Sequence, residues 1–271
     1  MKLSIITINL NNKDGLRKTI ESVVSQTFSD YEYIVIDGAS TDGSVEVIKE
    51  YKDKITYWVS EPDKGIYNAM NKGILQAKGE YCLFLNSGDW LYDILVLEKI
   101  FFQKPSVDII NGGLIKVYSD RESLDKGQAF ARKERGESLT LKDMLIGNLN
   151  HQSTLIKRSL FDKYGLYMED YKIVSDWILF LQAIGIDGVN VDYLDVIIAK
   201  FDMSGVCNTN KDLLEQERKL AIEKYVPKSI LDDYKYYMAI ESKYKRIINS
   251  SYFKILVSIY NFFLRKQIKF E

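Results

Sequence analysis

Tyr81-Cys82-Leu83-Phe84-Leu85 is an unbroken apolar run that stops at the polar corner Asn86-Ser87-Gly88-Asp89. A strand with no polar face has to be covered on both sides, which favours a parallel sheet flanked by helices. The earlier chain repeats the arrangement. Lys2 to Asn9 reads as a central strand, and the polar Asn9-Leu10-Asn11-Asn12 follows it. A helix is expected from about Asp14 to Phe28, with Leu16, Ile20, Val23, Val24 and Phe28 on one face and Asp14 or Asn12 as its cap. Glu32 to Asp37 is a second strand. Ile55 to Ser60 is a third, running into Glu61-Pro62-Asp63-Lys64-Gly65, and a helix from about Tyr67 to Ala77 leads back to Tyr81. Right-handed crossovers put such strand ends on one edge, where open parallel sheets bind their ligands. Asp37, Asp63 and Asp89 stand at three of those ends. Asn, Ser, Gly and Asp are ordinary turn residues, so one such corner is explained by turn chemistry alone. Three are not, because uncompensated carboxylates repel, and a cation or a donor-rich ligand between them is expected.

The 271 residues suffice for one large α/β domain with an appendage, and 37 Lys and Arg against 38 Asp and Glu give no electrostatic pull toward nucleic acid. Cys82, Cys207 and His151 are the only residues of their kinds, which excludes a disulfide framework and a His/Cys zinc site and fits reduced thiols in a cytoplasmic protein. Thr7 and Asn9 interrupt the first apolar stretch, so it reads as a strand and not as a targeting peptide. No stretch approaches the roughly twenty apolar residues needed to span a bilayer. No Gly-X-Gly-X-X-Gly follows the first strand, against a dinucleotide-binding oxidoreductase, and Asn9 to Gly15 is a poor phosphate loop for a nucleotidyltransferase.

Farther on, a helix is expected over Asp93–Gln103 and a strand over Val107–Asn111, with a turn or bulge at Gly112-Gly113 and more strand to Ser119. The charged stretch 120–137 reads as a loop or hairpin. Short elements follow: a helix over Leu141–Ile146, a strand over Thr154–Lys157, and a helix over Ser159–Tyr164. A further helix is expected from Asp176 to Ile184, capped by Ser175 and ended by Gly185, and then short strands over Val189–Val191 and Val196–Phe201. From Asn210 the chain turns into two or three helices. The last of them, Tyr252 to Lys266, is apolar with basic ends. It suits packing on the domain or on a second subunit in a homodimer, and it equally suits a helix lying on a membrane surface.

Thr7 in the first strand, Ser22-Val23-Val24-Ser25-Gln26-Thr27, Asp37-Gly38-Ala39-Ser40-Thr41-Asp42-Gly43-Ser44, Asp63-Lys64-Gly65-Ile66-Tyr67-Asn68-Ala69-Met70-Asn71-Lys72-Gly73 and Phe84-Leu85-Asn86-Ser87-Gly88-Asp89 come in a set order. In that order the chain resembles family 2 glycosyltransferases of bacterial polysaccharide and lipopolysaccharide assembly, over about residues 2 to 205. The resemblance implies an αβα sandwich with a mainly parallel central sheet, the nucleotide-diphospho-sugar transferase fold. Residues 1–205 would form the transferase domain, split into a nucleotide-sugar half (1–110) and an acceptor half (111–205), with 206–271 a helical extension.

The resemblance also implies inverting transfer of a hexosyl or N-acetylhexosaminyl group from a nucleotide-diphosphate sugar, a UDP-sugar foremost, to a glycan or lipid-linked acceptor. Magnesium or manganese would assist, and the protein would sit in the cytoplasm or at the cytoplasmic face of the membrane. Thr7 would lie against the nucleoside, Asp37 would bond the base or ribose, and Asp63 would approach the base. Asn9, Asn11, Ala39, Ser40, Lys64, Gly65, Asn68, Asn86, Ser87 and Gly88 complete the expected nucleotide-sugar site. Asp89 matches the family's metal-binding acid, although Asn86 and Gly88 stand where acids are common. Asp176, in Ser175-Asp176-Trp177, is the expected catalytic base, since a carboxylate within hydrogen-bond reach can take the acceptor's proton. His151, Gln152 and Trp177 are expected near the acceptor or diphosphate. The alternative from another class is a non-catalytic nucleotide-sugar-binding or partner-binding subunit.

Overall fold

Strand and helix alternate along the first half of the chain in the computed structural model, which describes residues 1–203 and 210–267. The elements are β1 (Leu3–Asn9), α1 (Lys13–Val24), β2 (Tyr31–Asp37), α2 (Ser44–Glu50), β3 (Tyr57–Ser60), α3 (Ile66–Gln76), β4 (Tyr81–Phe84), β5 (Trp90–Leu91) and α4 (Val96–Phe102). Then come β6 (Ile109–Val117), β7 (Glu122–Asp125), α5 (Gly127–Lys133), α6 (Leu141–Ile146), β8 (Thr154–Lys157), α7 (Ser159–Tyr164), α8 (Ser175–Phe180) and β9 (Val191–Asp202). Three helices follow: α9 (Lys211–Tyr225), α10 (Lys228–Asn249) and α11 (Ser251–Gln267).

All nine strands of the described residues join one sheet in the order β3-β2-β1-β4-β8-β6-β9-β5, with β7 paired to the part of β6 that extends beyond β8. The quartet β3-β2-β1-β4 is parallel, with β1, β2 and β4 buried on both faces and β3 at the more open edge. Register aligns the strand ends: Asn9 lies beside Asp37, and Asp37 beside Ser60. Beyond β4 the pairings with β8 are antiparallel, and only β6–β9 is parallel. One face of the sheet buries Leu3, Ile5, Tyr33 and Leu83 against Leu16, Ile20 and Val23 of α1 and Val47 and Ile48 of α2. Each such side chain contributes roughly 1.5–3 kcal/mol. On the other face α3 lies so close to β1 that a Cβ at Gly73 would sit 2.4 Å from Cγ2 of Ile6.

Several local expectations are narrowed to one of their alternatives, and others are corrected. Of the two cap candidates it is Asn12 that caps α1, accepting from the Gly15 amide. The charged stretch 120–137 makes a hairpin of β6 and β7 and then adds α5. Gly112-Gly113 is a bulge inside a continuous β6, opposite β9. The two short strands expected after Val189 are one twelve-residue β9. Ser175 does not cap α8. Val174 occupies that position, while the Ser175 hydroxyl accepts from the Met168 amide, and the helix runs on into a π turn over Leu181–Ile186 instead of stopping at Gly185.

The chain divides into two compact units, Met1–Ile222 and Glu223–Glu271. The first runs past residue 205 because α9 buries Glu217 and Ala221. The Glu217 carboxylate accepts from the backbone amides of Lys172 (2.7 Å) and Ile173 (2.9 Å), just before α8. In the second unit, no residue of α10 is buried.

Candidate active site

The aligned ends of β1 and β2 form a polar knot. Asp37 is fully buried and its oxygens are taken: Oδ1 accepts from Asn9 Nδ2 (2.7 Å) and the Ser40 hydroxyl (2.6 Å), Oδ2 from the Ser40 amide (2.9 Å) and the Ser60 hydroxyl (2.6 Å). The Ser40 hydroxyl also accepts from the Asn11 amide, and Asn11 Oδ1 accepts from the Thr41 amide. Asn11 (φ 48°) and Ala39 (φ 61°) hold left-handed backbone, which non-glycine residues adopt at a cost that the surrounding bonds offset. The knot ends at Gly38, where a Cβ would lie 2.5 Å from Oδ2 of Asp63, so only glycine lets that carboxylate settle there.

Above the knot opens a cleft of about 560 Å³, within the range of small-molecule sites. Asn9, Asp63, Gly65, Asn86, Ser87, Asp89, His151 and Gln152 line it, together with Leu10, Asn12, Ile66, Ala69, Phe201 and Asp202. Two acceptors on its wall, Oδ1 of Asn9 and Oδ1 of Asn86, bond no donor among the described residues. Buried polar atoms are nearly always paired, so these two suit donor groups of a ligand.

Asp89 is held from three sides. Thr19 of α1 accepts from the Gly88 amide (3.1 Å) and donates to the Asp89 carbonyl (2.7 Å), which fixes the loop after β4. Gly88, at φ 105°, makes the turn that a side chain would strain. The carboxylate accepts from the Asp202 amide at 3.1 Å. Burial pushes its pKa up from 3.8 to about 7, against the lowering effects of the Asp202 amide, His151 and a hydrogen bond from Gln152, while the charge of Asp202 adds to the rise. A second carboxylate is thus close to the first, at the end of β9.

His151 and Asp176 form a pair at the cleft wall. Asp176 Oδ2 lies 2.9 Å from His151 Nδ1, and Oδ1 accepts from the Tyr67 hydroxyl of α3 at 2.8 Å. An ionised carboxylate only accepts, so Nδ1 carries a proton directed at Asp176. Nε2 lies 3.3 Å from Asn86 Nδ2, one of the cleft's own groups. Burial would raise the Asp176 pKa, yet the bond and charge of His151 and the Tyr67 hydroxyl bring it below the ordinary 3.8. Asp176 therefore stays a carboxylate behind the imidazole.

The expected site residues thus fall into groups. Of the three strand-end acids, Asp63 and Asp89 face one cleft, and Asp37 lies beneath it with no oxygen to spare. Thr7 is fully buried and paired with the Tyr33 hydroxyl (3.0 Å), so it does not reach a nucleoside. Asn11, Ala39 and Ser40 build the knot and do not line the cleft. Asn68 accepts from the Lys64 amide and donates to Glu169, which shapes the entry to α3. The Lys64 residue is exposed. Trp177 is buried, donates to the Met144 carbonyl (2.8 Å) and lies under the Arg218 guanidinium, away from the acceptor role expected for it. Trp90 carries the Lys18 ammonium 3.1 Å above its ring, which occupies the face a sugar would need. Asp202, Tyr67 and Thr19 were not foreseen. Asp202 has a signal in the sequence: it is an acid at the end of the largely apolar stretch Val196–Phe201, as Asp37 and Asp89 are at the ends of theirs.

The profile of the family described as glycosyl transferase family 2 matches residues 4–165. An uncharacterized glycosyltransferase of Mycobacterium tuberculosis (strain H37Rv) is 31% identical over 212 residues, 75% of this chain and 76% of the relative. A PGL/p-HBAD biosynthesis glycosyltransferase of Mycobacterium bovis (strain BCG) is 27% identical over 218 residues, 77% of this chain and 80% of its own length. Among solved structures, S. aureus TarS 1–349 with UDP-GlcNAc superposes with a TM-score of 0.64 at 18% identity, over 86% of this chain and 70% of that one. In its UDP complex the match covers only 60% of TarS 1–349. The mannosyltransferase PcManGT of Pyrobaculum calidifontis, with GDP-Man and Mn2+, gives 0.57 at 15% identity, over 74% of this chain and 56% of that one. These structures share the fold. The profile runs from β1 to the glycine after α7 and takes in the knot, Asp63, Asp89 and His151 alike, and the chain belongs to glycosyl transferase family 2.

Proposed function

We propose that the cleft binds a nucleotide-diphosphate sugar, a UDP-sugar foremost, and that the chain moves its hexosyl or N-acetylhexosaminyl group, with inversion, to a hydroxyl of a glycan or lipid-linked acceptor. The observation that carries this reading is the His151–Asp176 pair, whose second imidazole nitrogen, held by Asn86, stands at the wall of a cleft lined by Asp63 and Asp89. The acceptor oxygen attacks the anomeric carbon while the bond to the diphosphate oxygen breaks and its electron pair leaves with the diphosphate. The acceptor's proton passes to His151 Nε2. Asp176 stabilises the imidazolium that forms and fixes its tautomer, and Tyr67 holds Asp176 in place. One displacement at one carbon inverts its configuration. The unpaired Asn9 and Asn86 oxygens suit ribose or sugar hydroxyls. The UDP-GlcNAc and GDP-Man named with the structural neighbours support a nucleotide-sugar donor, and the relative named for PGL/p-HBAD biosynthesis supports a role in glycoconjugate assembly.

A divalent ion fits the residues present. No cluster of three or more His, Cys, Asp or Glu able to hold a metal occurs among the described residues. Asp89 and Asp202 are nevertheless two hard oxygen donors close together on the cleft, and burial, with the charge of Asp202 adding to it, raises the Asp89 pKa, an effect that a cation would offset. Magnesium or manganese held there would draw the rest of its shell from diphosphate oxygens and water, and would offset charge on the leaving group.

The test is release of nucleotide diphosphate from a panel of UDP-, GDP- and TDP-sugars with an oligosaccharide or polyprenyl-diphosphate acceptor, with and without each ion. Turnover that survives both Asp89→Ala and Asp176→Ala overturns the reading. Nucleotide-sugar binding with no turnover for any acceptor would favour a non-catalytic binding subunit.

A further inference from the structure

The last helix is apolar on most of its circumference. In α11, Ser251, Lys254, Ser258 and Asn261 recur at three- and four-residue spacing and form one narrow polar stripe. The residues between them are aliphatic or aromatic. They are also exposed: Leu256 to 63%, Phe262 to 57% and Phe263 to 61%. Within its own unit this band stays exposed, and an exposed apolar band of this kind marks an interaction surface.

Charge says which partner. From Lys243 onward the chain holds seven Lys and Arg and one acid, a net +6, while the 242 residues before it hold 30 against 37, a net −7. No acid occurs between Lys243 and Gln267. Two copies docked through this face would bring like charges together. An anionic lipid surface supplies an apolar layer for the band and negative headgroups for Lys243, Lys245, Arg246 and Lys254.

The same facts favour a helix in the surface plane over a span. At about 1.5 Å per residue α11 falls short of a hydrocarbon core roughly 30 Å thick. No single described helix is long and apolar enough to cross; only α10 with α11 passes, bent by 62°, and α10 carries Asp232, Asp233 and Glu241.

We propose that α11, with the cations at the end of α10, docks this protein in the plane of an anionic lipid surface. The proposal stands whether or not the transferase reading does, because its readout is partition and not turnover. The test is co-sedimentation of the full chain with phosphatidylcholine vesicles and with vesicles containing phosphatidylglycerol, at low and high salt, alongside sedimentation velocity without lipid. Expected are binding that requires phosphatidylglycerol and weakens with salt, and a loss of at least about tenfold in Phe262→Ser/Phe263→Ser. Lys243→Glu/Lys245→Glu/Arg246→Glu should lower partition by about fivefold per cation. The residues changed are surface residues, and unaltered melting checks the fold. Equal binding to both vesicles, no binding to either, or full binding by the Phe variant overturns the proposal. A dimer that the Phe variant splits, with no vesicle binding, assigns the face to a second copy of this chain.

Discussion

Asp176 is buried behind the cleft wall and accepts from His151 on one oxygen and from Tyr67 on the other, so on the proposed reading it acts through the imidazole. Asp176→Asn keeps the size of the side chain but disrupts the tautomer and removes the charge that stabilises the imidazolium. We expect kcat to fall by about 10²–10⁴-fold with little change in donor KM, His151→Ala to fall by a similar factor, and the double variant to lose hardly more than either. Steady-state kinetics on the three variants, with nucleotide affinity by calorimetry, checks this. Additive losses would show that the two residues act separately. Asp89 supports a prediction of the opposite sign. Its carboxyl is pushed from 3.8 to about 7 in the native state, so between those values the native state holds a proton that the unfolded chain has released, and stability falls as pH rises through that window. Asp89→Asn has nothing to ionise and can keep the bond from the Asp202 amide. Without metal at pH 8 it should be more stable than the parent by about 1–2 kcal/mol, less than the full shift implies because the site relaxes. It should also gain no stability from UDP with magnesium. Thermal melts at pH 5 and pH 8, with and without UDP and metal, measure both effects.

At the scale of elements, α3 controls the geometry of the pair, because it carries Tyr67 as well as the cleft residues Ile66 and Ala69. Its closeness to β1 depends on Gly73, where a Cβ would meet the β-branched carbon of Ile6 at 2.4 Å. Gly73→Ala should cost about 1–3 kcal/mol through overpacking and lower kcat by moving Tyr67. Ile6→Ala opens the space, so the double variant should cost less than the sum of the singles, measured by denaturant unfolding. Elements of this kind were legible in the sequence where periodicity was strong. The all-apolar run at Tyr81 and the three- and four-residue spacing in α1 name both the element and its buried face. In the sequence β9 looks like two strands because Asp192 and Asp195 break the alternation, and only pairing with β6 across its bulge makes it continuous. Asp63 and Asp89 were legible as strand-end acids, but their equivalence with Asp37 was not: the hydroxyls and amides that saturate Asp37 come from three separate segments. The Tyr67–Asp176 bond joins residues 109 apart, and no local pattern encodes it.

At the scale of the whole molecule, the chain divides its work at α9. That helix belongs to the catalytic unit through Glu217, whose carboxylate takes the two amides just before α8, and through Arg218, which donates to the Gly147 carbonyl (2.8 Å) and covers Trp177. A chain ending at Met203 leaves those amides without a partner next to the segment that carries Asp176. Hydrogen bonds to a charged group contribute about 1.5–3 kcal/mol each, so this truncation should lose about 3–6 kcal/mol and much of its nucleotide affinity. A chain ending at Tyr225 keeps these α9 bonds and drops the whole basic, apolar end. It should melt in one cooperative transition, retain the stabilisation by UDP with metal, and fail to sediment with phosphatidylglycerol vesicles. Two assays on the one truncated protein, a melt with nucleotide and a vesicle partition, therefore separate the halves. Loss of the nucleotide effect would mean that α10 or α11 takes part in the cleft. Vesicle binding that survives would move the lipid contact to the first 225 residues, whose net charge is negative and whose attraction to an anionic surface would then need a different source.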